Sequence, residues 1–135
     1  MLLPLARGRD PRRLAYKILV IPAGVSVPGD ILVNPTFNQS ILELTDLVSA
    51  RLADVDGLSS VVVAAAGAVG MTALGPPVVR EGPHGISVGM LCQNGHVVIH
   101  AVPEEGICLV DVVAREPADA SRGAEVIARR FGASI

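Results

Sequence analysis

Residues 83–104 read PHGISVGMLCQNGHVVIHAVPE, two runs rich in β-branched and apolar residues, Ile86 to Gln93 and His96 to Val102, on either side of Asn94-Gly95. Asn-Gly between such runs is a strong short-range hairpin signal. Both central residues of a type I′ turn need positive φ, which Asn tolerates and Gly adopts freely. The stretch therefore predicts two antiparallel strands joined at Asn94-Gly95, pairing Gln93 with His96, Leu91 with Val98 and Gly89 with His100.

Downstream, Ile107 to Val113 predicts a third strand. If Val102 pairs with Ile107, Asp111 lies opposite Val98, diagonal to His96 and His100 and on their face. That register makes His100 and Asp111 a hydrogen-bonded pair and returns Arg115 beside the hairpin turn. After Pro117 a helix is expected from about Ala118 to Phe131, with Ala120, Ala124, Ile127 and Phe131 inside, Arg122, Arg129 and Arg130 in water, and Gly132 as the stop.

Upstream, Thr72 to Leu74 reads as a strand extending toward Val79. Leu58 to Val69 reads as a helix, because Ala-Ala-Ala-Gly-Ala is a poor strand, although the Val61-Val62-Val63 run points the other way. Ser40-Ile41-Leu42-Glu43 has capping-box spacing and predicts a helix from Ile41 to about Ala53, with Ile41, Leu44, Val48 and Leu52 on one stripe and Asp56-Gly57 breaking it. Ala15 to Ile21 reads as the first strand. Between them, 22–38 carries Pro22, Pro28, Gly29 and Pro35 and reads as an irregular loop, either a cover for a pocket or subunit contact or a surface insertion. Arg7, Arg9, Arg12 and Arg13 crowd the N-terminus, so 1–14 is expected to be a flexible tail and 15–135 a single domain.

The composition narrows the classes of function. A chain of 135 residues is near the usual size of one domain. Half of it is hydrophobic, yet it holds one Tyr, two Phe and no Trp. The core must come from Val, Ala, Leu and Ile, and the aromatic platforms used by single-stranded nucleic-acid binders are missing. A net charge of −2 argues against nucleic acid or a membrane surface as partner. Pro4 and the arginines interrupt any secretory apolar region, and Ser59 to Leu74 falls short of the ~20 residues a membrane span needs. A soluble cytoplasmic protein is expected, with Cys92 and Cys108 as buried free thiols.

The same tract resembles the bacterial S-adenosylmethionine decarboxylase family, whose pattern is P-x-G-V-S-G, a short apolar strand, then E-S-H-x-S-I-H-T-W-P-E. The matching residues here are Pro83, Gly85, Ile86 and Ser87, then Asn94, Gly95, His96, Ile99, His100, Pro103 and Glu104. Gly70 to Leu74 and Val110-Asp111-Val112 extend the likeness, which covers about 70–133. The resemblance implies an α+β fold: an antiparallel sheet with helices on one face, in which two protomers pair sheet against sheet. Because Ile86, Val88, Met90 and Cys92 alternate with Ser87, Gly89, Leu91 and Gln93, neither side of the strand is uniformly polar, so a homodimer is expected.

In that family the Ser of E-S-H attacks its own preceding carbonyl, the chain breaks, and the Ser becomes an N-terminal pyruvoyl group that acts as the electron sink. Gly95 stands at that position. Glycine has no nucleophilic oxygen, so no pyruvoyl cofactor is expected and covalent catalysis fails at its first step. Asn94 replaces the Glu. Arg115 replaces a cysteine that donates protons, and Glu81 and Val102 replace the aromatic residues around the nucleobase.

His100 matches the family histidine of chain processing, and a histidine can act as a general base near neutral pH; it can equally be a sheet residue held by Asp111. Ser87 matches the processing serine or simply fills its strand. Glu104, which matches a substrate-binding acid, is expected to bind ligand together with Asn94 at the turn and Arg115, which can anchor a carboxylate or phosphate. His96 and His100 do not make a metal site, since four residues along a strand separate them by ~13 Å. Two functions follow. One is an uncleaved, non-pyruvoyl relative that binds or transforms a small anionic or amino-acid-like metabolite in a remodelled pocket formed by Ser87, His100, Glu104, Asp111 and Arg115. The other is a catalytically inactive paralogue that regulates an active decarboxylase, or another enzyme, by hetero-association.

Overall fold

A computed structural model describes residues 2–7, 13–18 and 36–133. Along them the chain forms β1 (Leu2–Arg7), β2 (Arg13–Ile18), β3 (Phe37–Leu44), α1 (Ser49–Leu52), α2 (Val55–Val69), β4 (Val78–Gly82), β5 (Gly85–Cys92), β6 (Gly95–Val102), β7 (Ile107–Arg115) and α3 (Ala120–Arg130). These strands make one antiparallel sheet in the order β1-β2-β3-β7-β6-β5-β4.

Alternate residues of four strands make the core. Leu42 and Leu44, Val88 and Met90, Val97 and Ile99, and Val110 and Val112 are buried together with Leu58, Val62 and Ala65 of α2 and Ala124 and Ile127 of α3. Small residues let the two helices approach each other closely: a Cβ at Gly123 of α3 would lie 2.9 Å from Val69 Cγ2 and 3.2 Å from the Ala65 carbonyl oxygen of α2. The α+β arrangement, an antiparallel sheet with helices on one face, is the one the sequence predicts. Cys92 and Cys108 are buried free thiols, as expected. Burial raises both thiol pKa values, that of Cys108 to about 12, so neither is a ready nucleophile.

The helices that cover the sheet also conform to their sequences. Ala120, Ala124 and Ile127 are buried on α3, and Gly132 beyond it takes φ 79. On α2 the helical reading holds, but the helix starts at Val55, three residues before the expected Leu58, because Asp54 caps it by accepting from the Gly57 N–H at 3.1 Å. Asp56-Gly57 is thus inside the first turn. Gly70, at φ 86, ends the helix. No helix among the described residues is long and apolar enough to cross a membrane.

Four expectations are corrected. Thr72 to Leu74 is not a strand: Ala73 makes an isolated bridge to Cys92, and the strand that follows is β4. The helix from Ile41 does not form: Phe37–Leu44 is strand β3, and of the expected helix only Ser49–Leu52 is helical. Ser40 caps nothing; it is buried at 2% exposure, and its hydroxyl has no hydrogen-bond partner among the described residues. Pairing with β2 on one side and β7 on the other satisfies this backbone on both edges, which a local cap cannot match. At the N-terminus, Leu2–Arg7 pairs with β2 as the edge strand where a tail over 1–14 was expected. β2 overlaps the expected first strand at Ala15–Ile18, and 22–35 of the expected loop lie outside the described residues.

The last correction concerns the hairpin. Cys92 pairs with Gly95, so the turn residues are Gln93 and Asn94 rather than Asn94 and Gly95. Asn94 takes the left-handed conformation at φ 59, whereas Gly95 is the first residue of β6. Every expected pairing moves by one residue on each strand: Leu91 faces His96, Gly89 faces Val98 and Ser87 faces His100.

Candidate functional site

The face of the sheet turned away from the helices carries the polar side chains of interest. On it the register aligns Arg80, Ser87, His100 and Leu109 across β4, β5, β6 and β7 in one row. Another row runs Leu91, His96, Val113 and Gln39 across β5, β6, β7 and β3. Asp111 sits between these rows, opposite Val98, as the sequence predicts.

The expected His100–Asp111 hydrogen bond is replaced by two others. Ser87, directly opposite His100, brings its Oγ to 2.7 Å from His100 Nδ1. Asp111 instead accepts from Gln39 Nε2 at 2.8 Å and meets His96 Nε2 at 3.4 Å. The shifted hairpin register explains the exchange, since Gln39 and His96 share a row on one side of Asp111 while Ser87 occupies His100 on the other. The His96 hydrogen bond first, with Gln39 helping, holds the Asp111 carboxyl below the usual carboxylate range against the opposing pull of partial burial.

The expected site residues fall in three places. Ser87 and His100 line a groove of about 390 Å³ together with Arg80, His84 and Val102. Glu104 borders a smaller recess of about 160 Å³ that shares the turn between β4 and β5 with that groove. Asn94 and Arg115 line a separate cleft of about 240 Å³ with Thr72, Gln93 and Glu116, and the Arg115 N–H donates to the Asn94 carbonyl at 3.1 Å. Arg115 stands six residues from Leu109, the partner of His100, roughly 20 Å along β7 at about 3.3 Å per residue. One protomer therefore does not bring Arg115 to His100. Sequence reasoning missed Arg80, whose signal is its place on the strand leading into the Pro83 turn, one step across the sheet from Ser87.

Gly95 occupies a position with no room for a side chain. Its inward direction meets the Val113 carbonyl oxygen of β7 in a contact closer than any real Cβ makes, and Met71 Sδ at 2.6 Å from where a Cβ would be. Gly95 is therefore required for close approach of β6 to β7 and Met71, and not for turn conformation. A β-carbon there requires the Val113 backbone and Met71 to shift.

The fold and its pattern of residues have known counterparts. The family model described as S-adenosylmethionine decarboxylase matches residues 38–135. The chain belongs to the S-adenosylmethionine decarboxylase family. It is 31% identical over 70 residues to an S-adenosylmethionine decarboxylase proenzyme of Symbiobacterium thermophilum, a match covering 52% of this chain and 53% of that protein. The chain thus spans about half the length of that curated relative. The crystal structure of the adenosylmethionine decarboxylase from Aquifex aeolicus superposes with a TM-score of 0.65 at 20% identity, covering 74% of this chain and 83% of that one. The matched segment begins at Asn38, within β3, and β1 and β2 lie before it.

Proposed function

We propose that this family member is not self-cleaved, carries no pyruvoyl group, and uses the groove beside Ser87 and His100 to bind or transform a small anionic or amino-acid-like metabolite. The observation that supports this most is Gly95: it offers no hydroxyl for the acyl shift, and a β-carbon there would crowd the Val113 backbone. The groove contains a hydroxyl and an imidazole in contact, which is enough for proton transfer to or from a bound molecule, with His100 as the general base. Asp111 and His96 form a neighbouring polar pair that orients that part of the face. Arg115 and Asn94 belong to the other cleft and play no part in the groove of the same protomer.

The exposed sheet face supports a homodimer packed sheet to sheet. Leu91 is 64% exposed, Val78 47% and Leu109 40%, on a face where Ile41, Val98 and Val113 are also half-buried. The same exposed leucines favour a second reading, an inactive paralogue that regulates an active decarboxylase, or another enzyme, through this surface.

Light scattering and thermal unfolding of one preparation separate the readings. The expected result is a dimer whose melting temperature rises by a few degrees with at least one of S-adenosylmethionine, its decarboxylated form, common amino acids or small carboxylates, a rise lost in His100→Ala. A monomer unaffected by every one of these, which forms a complex with an active decarboxylase, moves the assignment to the regulatory reading.

A further inference from the structure

Resting on the groove assignment above, we propose that Arg80 is the anchor that holds an oxyanion, a carboxylate or a phosphate group, over the Ser87–His100 pair. Arg80 pairs with Ser87, and Ser87 with His100, so the three share a row on three adjacent strands and project to one face. Strand spacing places each backbone about 4.8 Å from the next, with Arg80 and His100 on the strands to either side of Ser87, roughly 10 Å apart across the sheet.

The donors suit an oxyanion. A guanidinium carries five N–H groups in a planar fork matched to two oxygens at once. In Arg80, Nη1 donates to the neighbouring Val79 carbonyl at 2.8 Å, and the residue lines the groove. When Ser87 donates to His100 Nδ1, the ring proton sits on Nε2, which is then a second donor. The groove's volume of about 390 Å³ lies within the range of small-metabolite sites.

The charges around it leave Arg80 as the anchor. Glu81 also borders the groove, but it pairs with Ile86, which packs against the core, so its carboxylate starts from the opposite face of the sheet. Glu104 borders the neighbouring recess. Arg115, which the sequence singles out for this role, is at the other end of β7.

The test is a titration of the full chain with inorganic phosphate and, separately, acetate at low ionic strength, followed by the backbone amide resonances of Ser87 and His100. Saturable shifts at both residues with either probe are expected, and the probe that binds more tightly identifies the oxyanion. Arg80→Gln should weaken that binding tenfold or more, while Arg115→Gln leaves it unchanged. Shifts at Ser87 and His100 that persist with unaltered affinity in Arg80→Gln refute the anchor and leave the groove standing. No response at either residue in the unmodified chain, to either probe, refutes both.

Discussion

Gly95→Ser is expected to lower stability by about 3 kcal/mol and to leave the polypeptide in one piece. The β-carbon alone would overlap the Val113 carbonyl oxygen, and that oxygen belongs to the ladder between β6 and β7, so it cannot turn aside as a side chain does. Overpacking a tight site ordinarily costs about 1–3 kcal/mol, and an immovable backbone neighbour places this one at the upper end. For a domain of this size that corresponds to a fall in melting temperature on the order of 10 °C. Met71 is the softer neighbour and would be displaced toward the Thr72 cleft. Gly95→Ala separates size from chemistry: it should lose nearly as much stability as the serine variant. Thermal unfolding and electrophoresis read both. A serine variant that is as stable as the parent and splits into two fragments would mean that the position has room and that the processing groups still operate.

Leu42→Ala should cost about 2–5 kcal/mol, against about 1 kcal/mol or less for Ile41→Ala. Leu42 is 0% exposed in the core between sheet and helices, whereas Ile41 faces outward opposite Asp111. A helix beginning at Ile41 reverses this order, because Ile41 then heads the buried stripe. Denaturant unfolding of the two variants therefore distinguishes strand from helix at this segment, and a larger loss for Ile41→Ala would overturn β3.

Much of the central sheet was legible because its signals are local. Period-two apolar runs on β5, β6 and β7, the Val102–Ile107 pairing and the apolar stripe of α3 follow from residues close in sequence. β3 was not legible for the opposite reason. Ser40 and Glu43 imitate a capping box, Ile41 interrupts the alternation, and the decisive partners, β2 and β7, lie far away along the chain. The hairpin illustrates a subtler failure. Asn-Gly signals a turn correctly, but the dipeptide does not say whether the glycine serves φ or close packing; Gly95 pairs with Cys92 inside the strand, where a β-carbon would meet Val113 and Met71.

That single-residue displacement determined the polar contacts. Shifting each strand by one residue replaced Gly89 with Ser87 opposite His100, and so converted an expected histidine–aspartate pair into a serine–histidine pair. It also set Arg80 in the same row, a neighbour that no linear spacing reveals. Arg115 and Asn94 were correctly placed beside each other, at the far end of β6 from His100.

Intact-mass spectrometry of the purified protein bears most directly on whether residue 95 has lost the family's self-processing chemistry. One unbroken species at the full 13.9 kDa, unreactive toward carbonyl reagents, is the expected result, with Asn94-Gly95 deamidation at most adding a small mass gain without a break. Two fragments divided between Asn94 and Gly95, the second carrying a keto group at its N-terminus, would contradict it.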